Sequence, residues 1–270
     1  MPIEKRRGIL PERMELESAA LGRIVYVDLF FPPVETAPGS LSVLLINDGQ
    51  DMEELGLPDM LDDLYERNRL RPLLCVGIHA GGQRKMEYGT ASTPDYLGRG
   101  AKASAYTEFI LRELLPALSR QYAPNGFSEL AFAGFSLGAL SALDIVWNHP
   151  HIFNRTGLFS GSFWWRTVDK GDAAYSDEEH RIIHRHIREG QYQPGLKFFF
   201  ECGTDDETED RNSNGVIDSI DDTQDLIREL DAKGYEAGRD IFYLEIAGGK
   251  HDVATWARAM PQFLEWGWGK

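Results

Sequence analysis

The sequence predicts an α/β fold: a mostly parallel central sheet with helices on both faces, in a single domain over residues 1–270. Two observations carry this. Short apolar runs alternate with longer amphipathic ones along the chain, the pattern of strands and crossover helices. The later apolar runs are continuous in Phe, Leu and Val rather than alternating, as in strands buried on both faces.

The strand candidates are Arg23–Phe31, Leu41–Ile46, Leu73–Ile78, Glu129–Ala133, Thr156–Ser160, Leu196–Cys202 and Ile241–Ile246. Pro32-Pro33 ends the first, because proline cannot donate to a ladder. The helix candidates are Pro58–Asn68, Ala103–Tyr122, Leu137–Asn148, Asp177–Glu189, Thr223–Lys233 and Val253–Trp266. Pro116 inside the second predicts a kink or break there. No internal repeat, low-complexity tract or linker divides the chain, so one domain is expected.

Six Trp and fourteen Phe can fill a sizeable core. The 28 basic and 43 acidic residues leave a formal net charge of −15. That balance argues against nucleic acid or an anionic membrane surface as partner. Cys75 and Cys202 each sit in an apolar strand-like run, which favours buried free thiols over a disulfide. The start Met1–Arg7 is followed by no apolar h-region, and no apolar run is long enough to span a bilayer. The expectation is a cytoplasmic protein acting on a small molecule.

The chemistry starts at Gly134-Phe135-Ser136-Leu137-Gly138. This G-x-S-x-G lies between a strand candidate and a helix candidate, the context of a nucleophile elbow. A serine on so tight a turn stands exposed, and the glycines remove side chains that would collide. Otherwise the stretch is a small-residue turn packing a helix on a sheet. Ser136 is the predicted nucleophile.

A serine nucleophile needs a base that follows it in the chain. His251, in Gly248-Gly249-Lys250-His251, comes after the last strand candidate and before the last helix. Its rival is His79, at the end of Leu73–Ile78. Three carboxylates follow Leu196–Cys202: Asp205, Asp206 and Glu207. One of them would orient the imidazole and stabilise its cation. Asp206 is preferred, and spacing alone leaves Asp205 and Glu207 open. The oxyanion hole needs two backbone N–H donors. They are expected at Leu137, after the nucleophile, and at Gln50, after Leu41–Ile46.

A second motif is Asp210-Arg211-Asn212-Ser213-Asn214-Gly215-Val216-Ile217-Asp218-Ser219-Ile220-Asp221. It follows the spacing of an EF-hand calcium loop, with oxygens from Asp210, Asn212, Asn214, Asp218 and Asp221 and the Val216 carbonyl. The alternative is a solvated loop whose Asn and Gly make turns. Bound Ca2+ would be structural; no cofactor is expected for catalysis.

These segments together resemble the putative-esterase family of α/β-hydrolases, which includes esterase D, feruloyl and acetyl-xylan esterase domains and enterochelin esterases. The resemblance runs from about Gly22 to Phe263. It is carried by Leu21-Gly22-Arg23, Leu45–Gln50, Val76-Gly77-Ile78, Arg84 with Glu87-Tyr88, and Glu113–Pro116. Ala133–Gly138, Ser160–Trp165, Cys202–Asp206 and Gly248–His251 with Trp256 continue it. The resemblance implies an α/β-hydrolase fold, with nucleophile, base and acid on Ser136, His251 and Asp206. The Ser-x-Trp-Trp segment is most similar to the enterochelin-esterase branch. It implies that Trp164 and Trp165 lie near the acyl site, unless they pack in the core. Arg84 is expected to meet a polar or anionic substrate group, or to pair with Glu87.

The leading expectation is a serine carboxylic-ester hydrolase working through an acyl-enzyme. An acyltransferase on the same residues is the near alternative. A non-catalytic binding protein with a calcium-held loop is the distant one.

Overall fold

The computed structural model describes residues 8–34, 36–37 and 39–270; the polar start Met1–Arg7 lies outside them. Eight strands form one sheet: β1 (Glu12–Ser18), β2 (Arg23–Phe30), β3 (Ser42–Asn47), β4 (Leu73–Ile78), β5 (Leu130–Phe135), β6 (Arg155–Phe159), β7 (Lys197–Gly203) and β8 (Ile241–Ile246). Their order is β1-β2-β4-β3-β5-β6-β7-β8. β1 and β2 pair antiparallel, as do β2 and β4, and the rest of the sheet is parallel. β3, β4 and β6 are buried at every position, which is why they read as continuous apolar runs.

The helices are α1 (Leu57–Glu66), α2 (Arg84–Glu87), α3 (Ala103–Glu108), α4 (Leu115–Tyr122), α5 (Leu137–Asn148), α6 (Asp177–His180), α7 (Ile182–Glu189), α8 (Asp218–Lys233) and α9 (Val253–Trp268). One core layer gathers α5, α7 and α8 residues such as Leu140, Ile183 and Leu226 on one face of the sheet. The other gathers Leu57 and Leu61 of α1 with Met260 and Phe263 of α9 on the opposite face. Period two divides β7 between them: Phe198 and Phe200 face the first layer, Phe199 the second. Cys75 and Cys202 are buried free thiols, and burial raises both thiol pKa values far above the ordinary range.

Four boundaries differ from the sequence expectation. β1 was not among the candidates; its glutamates alternate with Met14 and Leu16 on a half-exposed edge strand. The predicted helix Ala103–Tyr122 carries a π-helical stretch over Phe109–Leu114, next to Pro116 in the first turn of α4. The predicted helix Asp177–Glu189 breaks at Arg181, whose backbone is extended. The predicted helix Thr223–Lys233 begins instead at Asp218, so the last residues of the calcium-like motif coil into its first turn. Asp218 and Asp221 there suit the positive end of the helix dipole.

Candidate active site

Ser136 joins β5 to α5 with φ 54 and ψ −120, a backbone state that side chains rarely adopt. Its neighbours hold it there. Its N–H donates to Phe159 O at 2.9 Å, and its carbonyl accepts from Ser162 N at 3.1 Å. A Cβ on Gly134 would lie 2.4 Å from the Gly138 carbonyl carbon. One on Gly138 would lie 3.0 Å from Asn47 Cβ and from Asp48 Oδ2. Both glycines of the pentapeptide are thus places where strand, helix and the end of β3 cross too closely for a side chain.

That crossing positions the two expected oxyanion donors. Leu137 N opens α5, where the first amides have no helical acceptor. Gln50 lies in a 3-10 turn, Gly49–Asp51, directly after β3. Neither amide has a backbone acceptor among the described residues. Asn47 Nδ2 donates to Gly138 O at 2.7 Å, tying the end of β3 to α5. Asp48 is left-handed, with φ 62, and is held on three sides. Its N–H donates to the Tyr88 hydroxyl at 3.2 Å, and Arg84 donates to both of its carboxylate oxygens at 2.7 Å. Arg84 therefore pairs with Asp48 rather than with Glu87 or an open site. Glu87 is taken by Arg23, at 2.9 and 2.7 Å.

The loops after β7 and β8 are knitted together. Thr204 N donates to Ile246 O at 3.0 Å, Asp205 N to Gly249 O at 2.7 Å, and Gly248 N to Thr204 Oγ1 at 2.8 Å. Gly203 is needed for this approach, since a Cβ there would sit 2.4 Å from Gly249 O. The result brings His251 Nδ1 to 3.9 Å from Asp206 Oδ2. The Asp206 carboxylate has no exposed surface, whereas the imidazole is 40% exposed and stands edge-on to Trp256. Asp205 is exposed, and Glu207 is half-buried beside Ser219 of α8. His79 is committed elsewhere, with Nε2 2.6 Å from Asp28 Oδ2. Ser136 Oγ has Ser162 Oγ at 3.3 Å, and among the described residues no hydrogen bond joins it to His251.

The aromatic pair divides. Trp165 is 1% exposed and packs against the backbone of Gly89 and Gly100, so it is a core residue and offers no face to a substrate. Trp164 is half-buried, with the Arg99 and Arg166 guanidiniums 5.2 and 5.5 Å from its ring centre.

In the calcium-like loop, Asp210 accepts from the amides of Asn214 and Gly215. Asp221 accepts from the side chains of Asn212 and Asn214, and Asn214 Oδ1 accepts from Val216 N. Asp218 accepts from Arg211 N. Arg211 also bridges to Asp177 and Asp222, and Arg181 to Asp222 and Asp225. Among the described residues no three His, Cys, Asp or Glu side chains gather as a metal-ligand group. A cation in this loop would have to turn the two Asn amides and compete with Arg211 for Asp218.

Two residues at the site escaped the sequence reading. Ser162 is 4% exposed and touches Ser136. Glu201 is 1% exposed in β7, and neither carboxylate oxygen has a hydrogen-bond partner. Its signal was present: one acid interrupting Phe198-Phe199-Phe200-Glu201-Cys202.

A strained serine elbow after β5, with partner loops after β7 and β8, is the architecture of the esterase class of α/β-hydrolases. The family model described as "Putative esterase" matches residues 18–266, and the chain belongs to that family. The uncharacterized protein YbbA of Bacillus subtilis is 22% identical over 249 residues, which cover 90% of this chain and 92% of that protein. The enterobactin esterase of Shigella flexneri, solved in the presence of enterobactin, superposes with a TM-score of 0.73 at 21% identity. The match covers 97% of this chain but 59% of that one, so this chain spans about three fifths of that esterase's length. An IroE-like serine hydrolase from Shewanella oneidensis superposes with a TM-score of 0.67 at 16% identity, over 95% of this chain and 80% of that one. At these identities the structural likeness is one of fold. Among the described residues, no helix is long and apolar enough to cross a membrane.

Proposed function

We propose that this chain hydrolyses carboxylic esters of small molecules through an acyl-enzyme on Ser136. His251 takes the serine proton as Ser136 Oγ attacks the carbonyl carbon. The N–H groups of Leu137 and Gln50 stabilise the oxyanion. The imidazolium then protonates the leaving alkoxide, and the same base activates the water that releases the acid. Asp206 stays ionised and orients the imidazole. These residues need no cofactor for the reaction.

The observation that carries this reading is the Ser136 backbone, strained at φ 54 beside the Leu137 and Gln50 amides, which have no backbone acceptor among the described residues. Such strain is seldom retained without a use at the site. The 3.9 Å separation of His251 and Asp206 supports the same reading. The chain's family and its structural likeness to enterobactin esterases support siderophore trilactones among the substrates to be tried, beside cinnamoyl and acetyl esters.

The test is turnover of short p-nitrophenyl esters by the wild type and by Ser136→Ala, together with labelling by a fluorophosphonate probe. The expected result is labelling of the wild type alone and a loss of about 10³-fold or more in kcat for the variant. Turnover that survives Ser136→Ala would sink the reading. We also propose structural calcium at the 210–221 loop, to be read from melting curves with calcium and with chelator. A raised midpoint with calcium supports it, and an unchanged one removes it.

A further inference from the structure

We propose that Glu201 is a positioning residue of this site, a carboxylic acid that keeps its proton and thereby holds Asp206 as the ionised partner of His251. The proposal rests on the reading of Ser136, His251 and Asp206 given above.

The geometry starts from strand periodicity. Glu201 and Gly203 are two apart in β7 and so share a face, the one on which Phe199 packs against α9. The Asp206 carboxylate folds back over Gly203 on that face, with Oδ1 2.7 Å from where a Gly203 Cβ would be. Successive same-face positions along a strand are about 6.6 Å apart, within reach of two acidic side chains turned toward each other. Both oxygens of Glu201 and both of Asp206 are buried without a hydrogen-bond partner among the described residues. Four partnerless carboxylate oxygens in one dry pocket would be costly if both groups were charged. One shared proton removes the repulsion and gives an oxygen of Asp206 a donor, leaving the other oxygen for His251 Nδ1.

The surrounding groups decide which acid keeps the proton. Asp206 faces His251 across 3.9 Å, and a developing imidazolium favours its charge. Glu201 faces Asp206, the Ser160 hydroxyl and, from α9, Arg258. Ser160 Oγ accepts the Trp256 indole N–H at 2.9 Å, and among the described residues it makes no hydrogen bond to the Glu201 carboxyl. Burial first, and Asp206 second, push the Glu201 carboxyl up to about 8. Arg258 and Ser160 act the other way and do not offset them.

The test compares pH profiles of kcat and kcat/KM for wild type, Glu201→Gln and Glu201→Ala, using a short p-nitrophenyl ester that the wild type turns over. Gln keeps a neutral donor of similar shape. It is expected to stay within about threefold of wild type at neutral pH and to lack the upper inflection expected of wild type as Glu201 ionises. Ala is expected to lose about tenfold or more in kcat with little change in KM. Infrared difference spectra give a readout apart from activity: a protonated-carboxyl band in wild type at neutral pH, absent from Glu201→Gln. No such band, an upper inflection that persists in Gln, or a loss in Gln as large as in Ala would each overturn the proposal. The two readings fail separately. If Ser136→Ala abolishes turnover while both Glu201 variants match wild type, only the role of Glu201 falls. If Ser136→Ala keeps its activity, the catalytic reading falls first.

Discussion

Ser136 was legible because its information is local: five residues fix a turn that only two glycines allow. The same geometry makes a prediction. Gly138→Ala drives a Cβ to 3.0 Å from the side chains of Asn47 and Asp48. It should cost about 1–3 kcal/mol of stability, read by denaturant unfolding, and lower kcat by shifting the loop that carries Gln50. The candidate acid was less legible, because Asp205, Asp206 and Glu207 share one short stretch and only burial and direction separate them. Asp206→Asn should lower kcat by about 10³–10⁴-fold, while Asp205→Asn should leave it within about threefold. The reverse ranking would move the acid to Asp205. Arg84 and Trp165 misled for one reason: their residue types suit substrate binding, but their partners, Asp48 and the Gly89–Gly100 slot, come from distant chain.

At the scale of elements, buried strands announced themselves and edge elements did not. β1 carries Arg13, Glu15 and Glu17 at alternate, exposed positions, so apolar content gave no signal. The start of α8 was misplaced because Asp218–Asp222 is acidic, yet the dipole and two arginines accommodate those charges. α9 matters most for the site. Asp252 caps it, accepting from Thr255 N at 2.9 Å, while Thr255 Oγ1 accepts from Lys250 N at 2.8 Å. His251 lies between these two bonds. Asp252→Ala should therefore lower the midpoint of a thermal melt, because Thr255 N loses its cap. It should also reduce kcat more than that loss of stability explains, because the imidazole loses its fixed approach.

Across the whole molecule, two buried titratable groups oppose each other in pH. Burial lowers His184 from 6.5 to about 3, so it is neutral in the fold and charges first in the unfolded chain. Its contribution is complete above about 6.5 and is lost as pH falls toward 3. Glu201 is raised from 4.5 to about 8, and its contribution is complete below about 4.5 and is lost as pH rises toward 8. The pair alone gives a plateau between about 4.5 and 6.5 with a decline on either side. Glu201→Gln should remove the alkaline decline, so its melting point relative to wild type should climb steadily from pH 5 to pH 8. A constant difference across that range would contradict a raised Glu201. The net charge of −15 was legible from composition, but this opposition was not, since it depends on which two groups are dry.

The stretch between β6 and β7 enters the site at Ser162, runs out through Trp164 and Arg166, and is fastened to α8 by Arg181. Its first residues hold the elbow, since Ser162 N donates to the Ser136 carbonyl at 3.1 Å, whereas the His251 loop takes its bonds from Thr204, Asp205 and Thr255. In evolutionary terms its outer part, residues 166–180, is exchangeable. Those residues are half-buried or exposed, whereas Phe163 and Trp165 before them stay in the core. A laboratory library confined to residues 166–180 would test whether ester preference is written there while leaving the core untouched.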